Sequence, residues 1–448
     1  MPGPAEALTA APPAAPGGGE RAHVLFLAKQ FPWPLNVGAR QRSFHVARGL
    51  ARTHEVTVVA LDDPPADGER EAFLAASGCA RVRFVPTSTC LGNRPRGAPA
   101  PLPERVLGAL RGLFAPLPDA LQYWWSDALV AELEALRRER PVGVVFASQS
   151  WMAEHARAAG FERVVVDVDD LLSEVSLQRL RQAGWYPRRP LDRLRAAQER
   201  RYERALPGRF TRVLVAKDDD RAFFPAATRG RVDVLPNGVS VPEAPAPEPD
   251  RADTLLFVGT LGYPPNVDAV TWFAREVLPR VWEARPDVRF QVAGFGKGGH
   301  LADALADPRC AVAESPPELA PFYAAAAVVV TPIRTGGGTR IKILEALAHG
   351  KALVSTRFGP EGLGLRGGVD LELADTPRAM ADACLALLAD PARRRALGAA
   401  GRAHVAERFD WRRIEERVES LLPLPGRGSG RSRKTDRGGR GPPGPPAR

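Results

Sequence analysis

Cysteine, histidine and long apolar runs are all scarce in this chain. Four cysteines, Cys79, Cys90, Cys310 and Cys384, are spread over 448 residues with no CxxC pair. That pattern argues against a disulfide framework or a thiolate metal cluster and predicts reduced thiols in a cytoplasmic protein. The seven histidines are scattered rather than clustered, so a histidine-based metal site is not expected. No window approaches the roughly 18 uninterrupted apolar residues that a membrane-spanning helix needs. Residues 1–20 are rich in Ala, Pro and Gly. They lack both the basic start and the leucine-rich run of a secretory signal and read as a disordered extension.

What is present fits a soluble two-domain protein. The length exceeds what one compact core usually holds, and 44% hydrophobic with 25% charged residues is an ordinary globular composition. The formal charge is +10, but the stretch from Arg427 to Arg448 alone carries seven Arg or Lys against the single acid Asp436. The body is therefore only mildly basic, and nucleic acid is not an expected partner. Residues 424–448 read as a disordered basic tail, either an electrostatic anchor or a solvated extension.

Taken in order, the chain alternates buried strands with helices. His23 to Ala28 reads as a first strand, followed by a loop to Arg42 that holds Gly38, Arg40 and Arg42, then by a helix from Ser43 to Arg52. Glu55 to Leu61 is a second strand and Arg81 to Val85 a third. A helix over 127–139 leads into a strand ending at Ala147, with Ser148 at its carboxyl end and a helix over 152–159 containing His155. The strand 163–167 runs into Asp167-Val-Asp-Asp170. Those acids suit either a metal or a helix cap that holds nearby arginines, and the absence of a second acidic cluster favours the cap. Residues 178–212 are dense in Arg around Trp185-Tyr186, a surface fit either for a membrane or for a solvated helix with salt-bridged Glu199 and Glu203. Residues 240–253, rich in Pro, Glu and Ala, read as a linker. A second αβ unit restarts at Thr254 and ends its first strand at Gly259.

One stretch stands out, Thr331-Pro-Ile-Arg-Thr-Gly-Gly-Gly-Thr-Arg-Ile-Lys-Ile-Leu-Glu345. An apolar strand leads into three glycines, which permit close backbone approach to a ligand. Thr339 can cap the helix expected over 340–348, and Gly350 can stop it. Free N–H groups and the positive end of the helix dipole then face the loop. Arg334, Arg340 and Lys342 add positive charge there, and Glu345 lies about one turn inside. A nucleotide sugar matches this chemistry, since its diphosphate suits the N–H groups and cations and its ribose diol suits a carboxylate.

Several local patterns converge on one resemblance. They are Leu235-Pro236-Asn237-Gly238, Val258-Gly259, Pro265-Asn266 with Asp268 and Trp272-Phe273, Ala293-Gly294-Phe295-Gly296, and the glycine loop with Leu344-Glu345-Ala346. Together they resemble retaining glycosyltransferases of the GT-B fold, family 4 (group 1) type, most strongly over 230–365. The resemblance implies an α/β fold of two Rossmann-like domains facing across an interdomain cleft. Residues 21–239 would form the acceptor-binding domain and 254–408 the nucleotide-sugar-binding domain, with 409–423 a helix packing back on the first.

It also implies a UDP- or GDP-sugar donor, a glycan or lipid-linked acceptor, retention of configuration, no cofactor and no catalytic metal. The expected location is cytoplasmic, with contact at the inner face of the membrane left open. By position, Gly259, Thr260, Gly336, Gly337, Gly338 and Thr339 would meet the donor, and Glu345 its ribose. Gly38 and Arg40 would lie beside the phosphates, with Ser148 or Asp170 orienting the acceptor.

Two departures matter. Gly337 stands where the family's first motif glutamate belongs. The loop 260–266 lacks the usual Arg and Lys, so Arg340, Lys342 and Lys297 are the candidate replacements. A GT-B epimerase and a non-catalytic GT-B binding module are the alternative readings.

Overall fold

The protein is described by a computed structural model over residues 21–35, 37–93, 117–182, 186–249, 253–336 and 340–422. The two terminal extensions, Trp185, and the loop residues Gly337, Gly338 and Thr339 fall outside the described residues.

Two parallel sheets organise the chain. The first has seven strands in the order β3-β2-β1-β4-β5-β6-β7. They are β1 His23–Ala28, β2 Glu55–Ala60, β3 Arg81–Phe84, β4 Val144–Ser148, β5 Val164–Asp169, β6 Arg212–Val215 and β7 Val232–Val234. The second has six, in the order β10-β9-β8-β11-β12-β13. They are β8 Thr254–Val258, β9 Arg289–Gly294, β10 Cys310–Glu314, β11 Val328–Thr331, β12 Leu353–Ser355 and β13 Glu372–Leu373.

The apolar runs explain both sheets. Parallel neighbours need crossover connections, and crossover helices cover both faces, so the central strands are apolar throughout. Side-chain alternation then sorts them. Leu25 and Leu27 join one core of the first sheet, whereas Val24, Phe26 and Ala28 join the opposite one. In the second sheet Leu255 and Phe257 face one core and Leu256 and Val258 the other.

Some helices begin earlier than the apolar spacing predicts. The first runs Gly38–Ala51, so Gly38 and Arg40 sit in its first turn and not in a loop. A helix over Pro264–Trp272 starts at two prolines, which fit an N-terminal turn whose N–H groups have no helical partner. The helix after the glycine loop spans Ile341–Ala348, with Arg340 just before it.

The last helix, Trp411–Val418, returns to the first sheet. Trp411, Ile414 and Val418 are buried in the same core as Phe26 and Phe44. His45 stacks on Trp411 at 4.5 Å between centroids. Glu415 accepts from Arg48 at 2.9 Å and lies 2.6 Å from the His45 ring. The approach is close because Gly49 has no side chain; a Cβ there would lie 2.9 Å from the Glu415 backbone. No helix among the described residues is long and apolar enough to cross a membrane.

Candidate functional site

A cavity of about 290 Å³ opens between the two sheets' carboxyl edges. Val37, Gly38 and Gln41 line it from the first half. From the second half come Gly259 and Thr260 after β8, Gly294 and Phe295 at the end of β9, and Gly336, Arg340, Lys342 and Glu345 around the glycine loop. The carboxyl ends of parallel strands are where doubly wound sheets bind ligands.

Missing side chains let the walls meet. A Cβ on Gly294 would lie 1.9 Å from the Gly259 carbonyl oxygen, so the two strand ends approach this closely only because Gly294 has no side chain. A Cβ on Gly38 would come within 2.7 Å of the Ile341 side chain, so here the two halves approach closely at the cavity. Gly336 has φ +119, a conformation that side chains disfavour, and it packs on Pro265.

The charged groups are held under tension between burial and pairing. Arg340 donates to the Gly336 carbonyl at 2.7 Å, lies 4.5 Å from the centre of the Phe358 ring, and is only 9% exposed. Burial pulls its guanidinium below its ordinary value. Lys342 donates to Asn266 Oδ1 at 2.5 Å, and Asn266 Nδ2 in turn donates to the Thr260 carbonyl at 2.8 Å. Desolvation, with the nearby Arg340, pulls the Lys342 ammonium down to about 8. Desolvation pushes the Glu345 carboxyl up to about 7 although Lys342 opposes it. The Glu345 carboxylate makes no hydrogen bond among the described residues, which leaves it open to a ligand hydroxyl. The hydroxyl of Tyr323, fully buried behind it, also lacks a partner among them.

The structure brings together only part of the set expected from sequence. Gly38, Gly259, Thr260, Gly336, Arg340, Lys342 and Glu345 share the cavity. Gly337, Gly338 and Thr339 lie outside the described residues. Lys297 is exposed and does not line the cavity, because Gly298 turns away to bond Glu314. Arg334 is likewise diverted, forming a two-pronged ion pair with Asp268 at 2.6 and 3.2 Å. Arg40 and Ser148 do not line the cavity; Ser148 Oγ lies 3.3 Å from Ser43 Oγ.

Asp170 stands across the cleft and acts electrostatically on Arg340. Desolvation and Asp169 push its carboxyl up to about 7. It does not cap the helix that follows. Glu203 does, accepting from the Leu172 and Ser173 N–H groups at 2.5 and 3.2 Å. Glu203 is therefore buried and bonded to backbone and Ser173, not salt-bridged at a solvated surface. His155 is structural, accepting from Ser126 N at 3.0 Å and stacking on Trp125.

Sequence reasoning missed Asn266 as a site residue. The Pro-Asn pattern was visible, but its role depends on a hydrogen bond to Lys342 across 76 positions. Tyr263, Gln41 and Val37 were missed because nothing in their types marks them. No three His, Cys, Asp or Glu side chains converge as a metal-binding group among the described residues.

Residues 252–390 match the family described as Glycosyl transferases group 1. A GDP-mannose-dependent monoacylated alpha-(1-6)-phosphatidylinositol monomannoside mannosyltransferase of Corynebacterium glutamicum is 30% identical over 216 residues, covering 42% of this chain and 55% of that protein. The chain aligns with 33% to 55% of the length of the curated relatives it matches. Among solved structures, sucrose-phosphate synthase from Thermosynechococcus elongatus superposes with a TM-score of 0.61 at 16% identity, over 90% of this chain and 98% of that one. Anabaena Alr3699/HepE, solved in complex with UDP and glucose, gives 0.57 at 16% identity, over 89% and 98%. These superpositions identify the fold as GT-B, two Rossmann-like α/β domains facing across a cleft.

Proposed function

We propose that this protein is a glycosyltransferase that moves a hexosyl group from a UDP- or GDP-sugar to a glycan or lipid-linked acceptor with retention of configuration. The observation that carries the reading is the convergence of Arg340, Lys342 and the unbonded carboxylate of Glu345 at the start of one helix, inside a cleft walled by both halves. Two cations and a helix N-terminus suit a diphosphate. Glu345, one turn further in, suits the ribose diol.

In this reading the bond between the anomeric carbon and the diphosphate oxygen breaks as Arg340 and Lys342 take up the charge that develops on the leaving group. The acceptor hydroxyl approaches on the same face, forms the new C–O bond, and passes its proton to the departing phosphate oxygen. The first half positions that acceptor, and holding the two reactants in line supplies much of the acceleration. With Gly337 in place of the family's sugar-contacting glutamate, the donor sugar is held by backbone N–H groups and by Arg340 or Lys342.

The test is to incubate the protein with UDP- and GDP-sugars and measure free nucleotide. Release with one donor class, increased by an acceptor glycan, is expected. Tight nucleotide binding with no release from any donor would leave a non-catalytic binding module in place of the enzyme.

A further inference from the structure

A second constellation lies on the first half, among residues that do not line the cavity. The first sheet is built outward in two directions, β1 to β3 one way and β4 to β7 the other, so β1 and β4 are neighbours at its switch point. Open sheets of this kind bind ligands outside the carboxyl ends of those two strands. Lys29 directly follows β1, and Gln149 directly follows β4.

Four features meet there. Lys29 Nζ sits 4.1 Å from the centre of the Trp124 ring and 5.2 Å from that of Trp151. It makes no ion pair or hydrogen bond among the described residues, and burial alone pulls its ammonium below the ordinary value. Gln149 has φ +78 and ψ 149, a backbone conformation that residues other than glycine rarely adopt. Its Oε1 and the Trp151 Nε1 are both buried with no hydrogen-bond partner.

Each unbonded buried polar group costs about 1–3 kcal/mol, so two of them beside a half-buried cation at one strand edge need a reason. Trp125, next in sequence to Trp124, shows how such a ring is normally satisfied: it stacks on His155 and donates to Asp127 at 2.9 Å. Cation–π contact with two indoles only partly replaces the water that Lys29 has lost.

Resting on the reading of this half as the acceptor side, we infer that Lys29, Trp124, Gln149 and Trp151 form a subsite for an acceptor sugar that carries a negative charge. Indole faces take the C–H face of a pyranose. The Trp151 N–H and the Gln149 carbonyl oxygen supply a donor and an acceptor for ring hydroxyls. Lys29 selects a carboxylate or a phosphate, exchanging ring contact for an ionic hydrogen bond. A uronic acid and a sugar phosphate share that chemistry.

The experiment titrates the full-length protein with methyl β-D-glucuronide, glucose 6-phosphate and methyl β-D-glucoside, following tryptophan fluorescence with saturating UDP or GDP present. At least one anionic sugar is expected to bind at least about tenfold more tightly than the neutral glucoside, the scale of one charged hydrogen bond. Whichever anion binds identifies the source of the charge. Lys29→Met removes the preference, Lys29→Arg keeps it, and both variants bind nucleotide like the parent protein, which also shows that they fold. Equal binding of charged and neutral sugars, a preference that survives in Lys29→Met, or no binding of any of the three sugars overturns the subsite. Loss of nucleotide binding by the parent protein would strike the transferase reading instead and leave the sugar titration standing.

Discussion

Arg42 and Arg340 occupy similar places in the two halves, yet their charges are handled in opposite ways. Each is nearly buried, and each lies near the start of a helix that follows a strand and a loop. Arg42 grips Asp167 through two bonds of 2.6 and 2.8 Å, and it also donates to Asn237 Oδ1 and the Leu235 carbonyl. Burial opposes its charge, but Asp167 and Asp169 more than compensate and hold the guanidinium above its ordinary value. At Arg340 burial prevails and the value falls. Lys342 and Glu345 follow the same pattern. At Arg42 the first half neutralises a buried cation internally; around Arg340 the second keeps two cations and a carboxylate at a cavity wall. Removing a neutralised charge should cost stability, and removing an under-compensated one should cost binding and catalysis.

The largest expected effect breaks the first side of that contrast. Arg42→Ala strands Asp167, 2% exposed, as a buried acid without its arginine. Breaking a buried pair by deleting one partner costs about 3–5 kcal/mol. Urea denaturation should show a midpoint far below that of the parent, with loss of activity following unfolding. A variant of parental stability would mean that the cluster is not structural.

The second prediction inverts the readout. Lys342→Met keeps the stem of the side chain but removes the charge beside Gly259 and Asn266. Its kcat/KM should fall about a hundredfold, near 2.7 kcal/mol, the scale of losing one preorganised group that stabilises developing charge. Stability should change by less than about 1 kcal/mol, because a desolvated cation leaves with its burial cost. Comparable losses of stability and activity would erase the contrast between the halves.

Much of the fold was legible in the sequence because buried parallel strands are apolar along their whole length, and Val24 to Ala28 or Val328 to Val330 cannot be read otherwise. The helix Ile341–Ala348 was legible from its apolar spacing and from the glycine that stops it. The arginines were not. Arg334, Arg340 and Arg42 look alike in sequence, and their fates depend on Asp268 and Asp167, which lie 66 and 125 positions away from Arg334 and Arg42 respectively. Lys297 looked suitable in a glycine-rich loop, but the loop's direction is set by the Gly298–Glu314 bond, which no local pattern encodes. Asn266 and the Lys29 constellation were hidden for the same reason. Spacing along the chain reveals elements, whereas the pairing of charges is decided by long-range contacts.

The smallest effect concerns Glu345 and sharpens the comparison through pH. Its carboxyl is pushed up to about 7 from an unfolded value of 4.5. The folded state therefore binds more protons than the unfolded state between those values, so this group's contribution to stability is present at low pH and is lost as pH rises through about 7. Glu345→Gln cannot lose that contribution. Relative to the variant, the parent should weaken by roughly 1 kcal/mol between pH 5 and 8, a figure reduced for partial solvent screening of this half-buried group. Binding should run the other way. A ribose diol is better held by the ionised carboxylate, whereas the loss of charge on Lys342 near 8 weakens parent and Glu345→Gln alike, so the ratio of parent to variant nucleotide affinity should rise as pH passes about 7. Calorimetric titration with UDP and GDP at pH 6 and 8 reads both trends. A ratio of parent to variant affinity that is independent of pH, or a variant that binds as tightly as the parent at pH 8, would remove Glu345 from the ribose and leave Arg340 and Lys342 to hold the nucleotide.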